Sequence, residues 1–472
     1  GLCLALAWLP TPAIRSPHHP LARYRCRGAR RLSEGGMPLA ARGRFFSAAV
    51  ALVAHASLPH SAAGFLRAGA GAARSFQDYI RTHQRQYAPD TEEFELRQAL
   101  FERARRFVER HNSRSGRSWT AGLTQLADRT DAELASLRGY RREARPGGSF
   151  RAAGGGLGLL ASRGGAAGRG GALPEAFSWK GRLAATKEVQ NQGGCGSCWA
   201  VSSSTVLRAH AELFQKDLSF SADQILSCTE NPRECGGTGG CDGATAELAM
   251  NYVSQYGCVS SNDWEYDGLE SPDRCFAAES QFQTTSAAVG APPAMHFGMR
   301  GYSKLQENAL MPIMLAVVQK GPVVVSLAAG AEWNLYLGGI MDACPRDAVI
   351  DHAVVLVGFG VGQGGTEEGL KYWHIQNSWG PLWGEDGFVR LARHSDPVEA
   401  GYCGTDNNPQ VGSGCKGGPS QLEICGTCGI LYDVVMPEFD LGPTGLWSSD
   451  AFVESLRNAT HDAPAPLAPT PS

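Results

Sequence analysis

The segment Gln192-Gly-Gly-Cys-Gly-Ser-Cys-Trp199 constrains this chain most. It sets a cysteine at the opening of a helix-forming run, with a side-chain amide six residues ahead of it. From Trp199 onward, Val206, Leu207, Ala209, Leu213 and Phe214 fall at spacings that suit one buried helix face. Cys198 is therefore expected at a helix N-terminus, where free backbone N–H groups and the positive end of the dipole favour thiolate over thiol. Two chemistries fit such a residue. Cys198 can be the nucleophile of a thiol hydrolase, or Cys195 and Cys198 can form the Cys-x-x-Cys pair of a dithiol redox site.

Partners decide between them. A thiol hydrolase needs an imidazole beside the sulfur and a third group that orients the imidazole. Asp351-His352 opens the apolar run AVVLVGFG, which reads as a buried strand, and Asn377-Ser-Trp379-Gly follows the short strand-like KYWHIQ. Taken singly, these residues say little: His296 and His374 are also available, and strand histidines are usually satisfied core residues. Gln192 alone would be a polar loop residue, and a cysteine in a secreted chain is usually a disulfide partner. Together, QGGCGSCW, DHAVVLVGFG and NSWGPLWGEDGFVRL resemble the papain and cathepsin family of cysteine peptidases.

The resemblance implies an α+β fold with a helical left half and an antiparallel, barrel-like right half. It implies Cys198 as nucleophile, His352 as general acid and base, Asn377 as the residue that orients the imidazole, and Gln192 as an oxyanion donor. Trp379 would cover the His to Asn hydrogen bond, and Trp383 would wall the leaving-group side. Polypeptides are the expected substrates, with no cofactor or metal. A catalytically silent homologue that binds protein and a dithiol oxidoreductase are the alternatives.

The same resemblance pairs Cys195 with Cys241, Cys228 with Cys275, and Cys344 with Cys428. Cys235, Cys258, Cys403, Cys415 and Cys425 remain, an odd number. No histidine lies between Cys403 and Cys428, so disulfides are preferred there over zinc. Residues 404–427 read as an insertion, with Cys428-Gly-Ile as the start of the family's last strand. That reading puts Asp433 at the floor of the pocket for the second residue before the scissile bond, with Ser326 and Ile350 on its walls, and predicts acceptance of Arg or Lys. Gly243, Ala244 and Asp351 complete the substrate-binding set, Ala244 standing where the family has glycine. Residues 361–370, VGQGGTEEGL, read as a hairpin extension between the His and Asn strands; no paired histidines suggest an occluding loop, which favours an endopeptidase.

Upstream, Glu93, Arg97, Phe101, Ala104, Val108 and Asn112 form one helix stripe within a run from about Thr91 to Asn112. The stripe and the following GLTQLADRTDAEL resemble a cathepsin L type inhibitory propeptide, which would cover residues 75–140 and act as an intramolecular inhibitor; Ala104, Val108, Thr124 and Leu126 depart from its pattern. Residues 141–172 are rich in Gly, Ala and Arg and read as a cleavable linker, with cleavage near Ala172 ahead of a catalytic unit at 173–437. Residues 1–36 read as an upstream extension and 37–56 as a signal peptide, with Arg42, Arg44, the run FFSAAVALVA and Ala54-His-Ala56. Residues 438–472 read as a disordered tail with a sequon at Asn458.

Charge is divided unevenly along the chain. Residues 173–437 carry 15 Lys and Arg against 29 Asp and Glu, a formal −14, which leaves +11 on the remainder of a chain at −3. An acidic unit and a basic leader attract at neutral pH and less so in acid, which predicts a zymogen activated in an acidic compartment. The negative unit argues against nucleic-acid partners. The whole chain's 14 cysteines suit an oxidising compartment, and no apolar run is long enough to span a membrane. A monomer in the secretory pathway, lysosome-like or extracellular, is expected.

Overall fold

The upstream stripe folds as a helix in the computed structural model, which describes residues 75–139, 173–213, 218–275 and 299–439. The expected extension, signal peptide, linker, cleavage site and sequon, together with Phe214, lie outside these residues. In the leader, α1 (Phe76–Thr82) is followed by α2 (Glu92–Asn112), β1 (Trp119–Ala121) and α3 (Asp131–Ser136). Thr91 caps α2 by accepting from Phe94 N, and Glu92, Glu93 and Glu95 in its first turn suit the positive helix end. The stripe does several jobs. Phe101 and Ala104 enter a small core with Phe76, Tyr79, Leu123 and Ala127, while Arg97 forks onto the Glu133 carboxylate. Asn112 exchanges hydrogen bonds of 2.8 and 3.0 Å with Ala121 backbone.

The catalytic unit follows with β2 (Phe177–Ser178), α4 (Cys198–Leu213), α5 (Ala222–Cys228) and α6 (Ala246–Tyr256). Then come β3 (Met299–Lys304), α7 (Leu310–Gln319), β4 (Val323–Leu327), β5 (Tyr336–Met341), β6 (His352–Val361), β7 (Lys371–Gln376) and β8 (Phe388–Ala392). The chain continues through α8 (Asp396–Gly401), β9 (Cys403–Asp406), β10 (Leu422–Cys425) and β11 (Asp433–Phe439). The principal sheet runs β1-β5-β8-β7-β6-β4-β11-β3, with β2 also on β6; its pairings are antiparallel except β5 with β8. Leader strand β1 thus extends the sheet of the unit that follows it, Trp119 opposite Gly339, and closes an edge that would otherwise present unpaired amides.

The central helix differs from the one-faced helix that its periodicity suggests. In α4, Cys198 through Ser204 and then Val206, Leu207, Ala209, His210, Ala211 and Leu213 are all buried. A helix buried almost all round belongs between two layers; here α5 and α6 lie on one side and β4, β6 and β11 on the other. Residues 361–370 form the hairpin connection from β6 to β7, as their glycines suggest.

Among the described residues there are five disulfides. Cys195–Cys241, Cys228–Cys275 and Cys344–Cys428 are the pairs that the resemblance implies. Two more join Cys235 to Cys415 and Cys403 to Cys425, which leaves Cys198 and Cys258 as free thiols, both buried.

Candidate active site

Strand register brings the distant residues together. Leu327 of β4 pairs with His352 at the first position of β6, and Val355 pairs with Gln376, the last residue of β7. Asn377 therefore leaves β7 beside His352, whose Nε2 lies 2.8 Å from Asn377 Oδ1. Trp379 stacks on the imidazole at 5.0 Å, and Trp333 meets it edge-on at 6.4 Å. His352 is 1 % exposed. Its Nδ1 is buried without a hydrogen-bond partner, so this nitrogen is the one left for proton exchange with the thiol that lines the same cavity.

Cys198 is the first residue of α4, as expected, and its sulfur accepts from Ala353 N at 3.5 Å. In the closed form, however, burial works against the thiolate. Burial pushes the Cys198 thiol up to about 11, against the Ala353 hydrogen bond, and burial pushes His352 down to about 4 despite its bond to Asn377. Burial thus favours the neutral thiol and the neutral imidazole of the covered pair.

The cover is the leader. Gln192 Nε2 donates to Leu137 O at 2.7 Å and to Cys195 O at 2.8 Å. Its amide is held in that sense because Ser378 Oγ donates to Gln192 Oε1, while Gln192 N donates to Ser378 O and Tyr266 OH to Gln192 O. Ser378 and Tyr266 are positioning residues that sequence reasoning passed over. Ser378 was legible as the residue between Asn377 and Trp379; Tyr266 had no local signal.

The leader runs on through the cleft. Gln125 Nε2 donates to Trp379 O, Arg138 pairs with Asp351 at 3.1 Å and donates to Ala329 O, and Gly139 reaches the backbone of Gly243. Among the described residues, Arg138–Asp351 is the ion pair that joins leader to catalytic unit, since the other leader pairs are internal. The broad attraction inferred from net charge thus narrows to one contact. Burial drives the Asp351 carboxyl up to about 7, only partly offset by Arg138.

The expected specificity pocket is built differently. Gly243, Ala244, Ser326 and Asp351 line the cleft, but Ile350 is fully buried with Ile424 and Tyr432, beneath Gly412. Asp433 sits opposite Ser326 in the sheet and accepts its hydroxyl at 2.7 Å, but it is 1 % exposed and already paired with Lys304 at 3.2 Å. In this form Lys304 pairs with both Asp433 and Glu247, so Asp433 has an internal cation beside it. Trp383 is also fully buried, stacked on Trp333 with its Nε1 on Trp333 O, so it backs Trp379 and does not itself wall the open cleft in this form.

Comparison with known proteins agrees with this geometry. The papain family cysteine protease model matches residues 173–413, and the cathepsin propeptide inhibitor domain matches residues 76–134. The cathepsin L-like proteinase of Phaedon cochleariae is 30% identical over 325 residues, covering 68% of this chain and 88% of that protein. Cysteine proteinase RD21A of Arabidopsis thaliana is 30% identical over 326 residues, 66% of this chain and 59% of that protein. The chain spans 58–65% of the length of that protein and of two further plant relatives. Among solved structures, a recombinant stem bromelain precursor matches with a TM-score of 0.54 and 23% identity over 77% of this chain and 98% of its own. Procathepsin L 3 of the Tenebrio molitor larval midgut gives 0.54 and 22% over 77% and 97%; both show a common fold. With a cysteine protease model over half its length and an inhibitor model ahead of it, this chain belongs to the papain family of cysteine proteases, in the form that carries a cathepsin-type propeptide.

Proposed function

We propose that the protein is the zymogen of a thiol peptidase that hydrolyses peptide bonds through Cys198, His352, Asn377 and Gln192. The observation that carries this is a backbone carbonyl, Leu137 O, held at 2.7 Å by the side-chain amide of Gln192, six residues ahead of the thiol that opens the central helix. A carbonyl there is where a scissile peptide's oxygen would lie, and a preoriented donor stabilises the charge that develops on it. The dithiol alternative is disfavoured because Cys195 is bonded to Cys241.

Once the leader departs, water returns and the thiolate–imidazolium pair forms at the helix N-terminus. Cys198 Sγ attacks the carbonyl carbon, and the oxyanion takes hydrogen bonds from Gln192 Nε2 and the Cys198 N–H. His352 gives its proton to the leaving amine, then draws one from water, whose oxygen attacks the thioester and frees the acid. Asn377 Oδ1 holds the ring through Nε2, so Nδ1 keeps facing the sulfur through both halves. No described helix is long and apolar enough to cross a membrane; an acidic or extracellular site of the secretory pathway and a monomeric state belong to this reading. The test is hydrolysis of fluorogenic peptides by acid-treated protein. Wild type should turn over and Cys198→Ala should fall by at least ~10³-fold; equal rates, or no labelling of Cys198 by an epoxide, would make the protein a silent binding homologue.

A further inference from the structure

Two segments that the catalytic residues do not use meet across the cleft. One is the loop 229–240 on the helical wall; the other is a strap, 407–421, that rises from the β9–β10 hairpin, whose base is tied by Cys403–Cys425. Cys235–Cys415 joins them across 180 residues of sequence. Polar contacts repeat the junction: Gly236 N donates to Gly414 O at 2.9 Å, Lys416 N to Arg233 O at 3.0 Å, and Lys416 Nζ to Glu234 Oε1 at 2.7 Å.

The strap is stiff and seated on both walls. Gly412 N, Ser413 N and Gly414 N all donate to Pro409 O, and buried Asp406 at its root accepts from Ile350 N at 3.1 Å and Asn408 N at 2.8 Å. A Cβ at Gly412 would lie 2.1 Å from Ile350 O, and one at Gly236 would lie 3.0 Å from Gly412 O and 3.1 Å from Ala244 O. Backbone therefore touches backbone from the barrel side to the helical side, beside Ala244. Val411 and Gly412 face the same cavity as Cys198, Ala244 and Ser326, and Gly139 of the leader lines it too.

We infer that this disulfide-latched strap determines specificity by closing the acyl end of the cleft, so that the mature unit holds about two residues before the scissile bond and favours short peptide N-termini over the interior of long chains. The inference rests on the peptidase reading above. An extended peptide advances about 3.3 Å per residue, and a residue beyond the Gly243–Ala244 edge would need the volume that Val411, Gly412 and Gly236 occupy. The lack of an occluding loop of paired histidines bears on the other end of the cleft and does not open this one.

The test compares kcat/KM for a free dipeptidyl fluorogenic amide with that for a tetrapeptidyl amide ending in the same two residues, on activated full-chain protein. The dipeptide should be preferred by at least ~10-fold. Combining Cys235→Ser with Cys415→Ser should shrink that ratio to within ~3-fold, and where that variant misfolds, replacing residues 408–414 by two glycines should do the same. Equal rates on both lengths in the wild type would overturn the strap's role and leave the peptidase reading standing. A ratio unchanged in a folded, unlatched variant would overturn it as well. Failure to cleave either substrate would overturn the peptidase reading, and this one with it.

Discussion

The leader and the catalytic unit are held together by different forces. The catalytic unit has five disulfides among its described residues and a large apolar core that runs from α4 through the sheet and takes in Trp119, Ala121, Leu126, Leu134 and Leu137 of the leader. The leader has no disulfide among its described residues, and only a small apolar core of its own. Its organising centre is polar: Asp128, fully buried, takes Arg85 at 2.9 Å, Tyr87 OH at 2.7 Å and Tyr79 OH at 3.1 Å. Around it stand the Arg97–Glu133 fork and the Thr130–Glu133 capping box. The leader's polar centre can respond to pH, whereas the bridges of the unit beneath yield only to a reductant. That is the division of labour a removable inhibitor needs.

Four measurements can break or sharpen that contrast, taken from the largest effect down. Strong reductant should destabilise the catalytic unit by roughly 2–4 kcal/mol for each bridge lost, and leave the leader's own transition in place; calorimetry that shows the leader melting first under reductant would reverse the comparison. Asp128→Asn strands Arg85 and should cost the leader on the order of 3 kcal/mol, read as faster proteolysis of residues 75–139 at pH 7.

Third is pH. His83, packed 4.4 Å from Tyr79, is moved from an ordinary 6.5 to about 4 by burial and by Arg85, with Asp128 opposing. Its contribution to leader stability is present above 6.5 and lost as pH falls through about 4. Glu133 is pushed up by burial but pulled further down by Arg97 and Thr130, from 4.5 to about 2, so its contribution is lost as pH falls through about 2. Asp351 has the opposite sign: raised to about 7, it favours closure fully below 3.8 and loses that contribution as pH rises through about 7. Leader release should therefore accelerate between pH 6.5 and 4, driven from within the leader and not by the cleft contact, and His83→Phe should flatten that profile. Unchanged acid dependence in that variant would return the switch to net charge. The smallest effect is Thr130→Ala, which removes the capping box at about 1 kcal/mol and should lower the leader's urea midpoint slightly.

Much of the site was legible because its signals are local. The pairing of a thiol with a helix start needs only Cys198 and the residues after it, and a strand opening at His352 needs only the apolar run that follows. The two halves of the leader's capping box, Thr130 and Glu133, are three residues apart. Illegible features depend on what arrives from elsewhere. Nothing near Asp433 announces Lys304, because the two meet across β3 and β11. Nothing near Gln192 announces Tyr266, 74 residues away, and nothing near Cys415 points to Cys235. The burial of the thiol was hidden for the same reason: a helix N-terminus is visible in sequence, while the leader's backbone lying over it is not.

By itself, the sequence determined the chemistry that the chain can perform, since Cys198, His352, Asn377 and Gln192 carry their functional groups wherever the backbone takes them. It also determined which segments become helix and strand, because those periodicities act over a few residues. Only the tertiary structure decided whether those groups are charged, what fills the neighbouring pocket and how far a peptide can reach along the cleft. Those properties depend on desolvation, on buried counter-ions and on volume occupied by residues up to 180 positions apart, and such terms exist only once the chain has closed on itself.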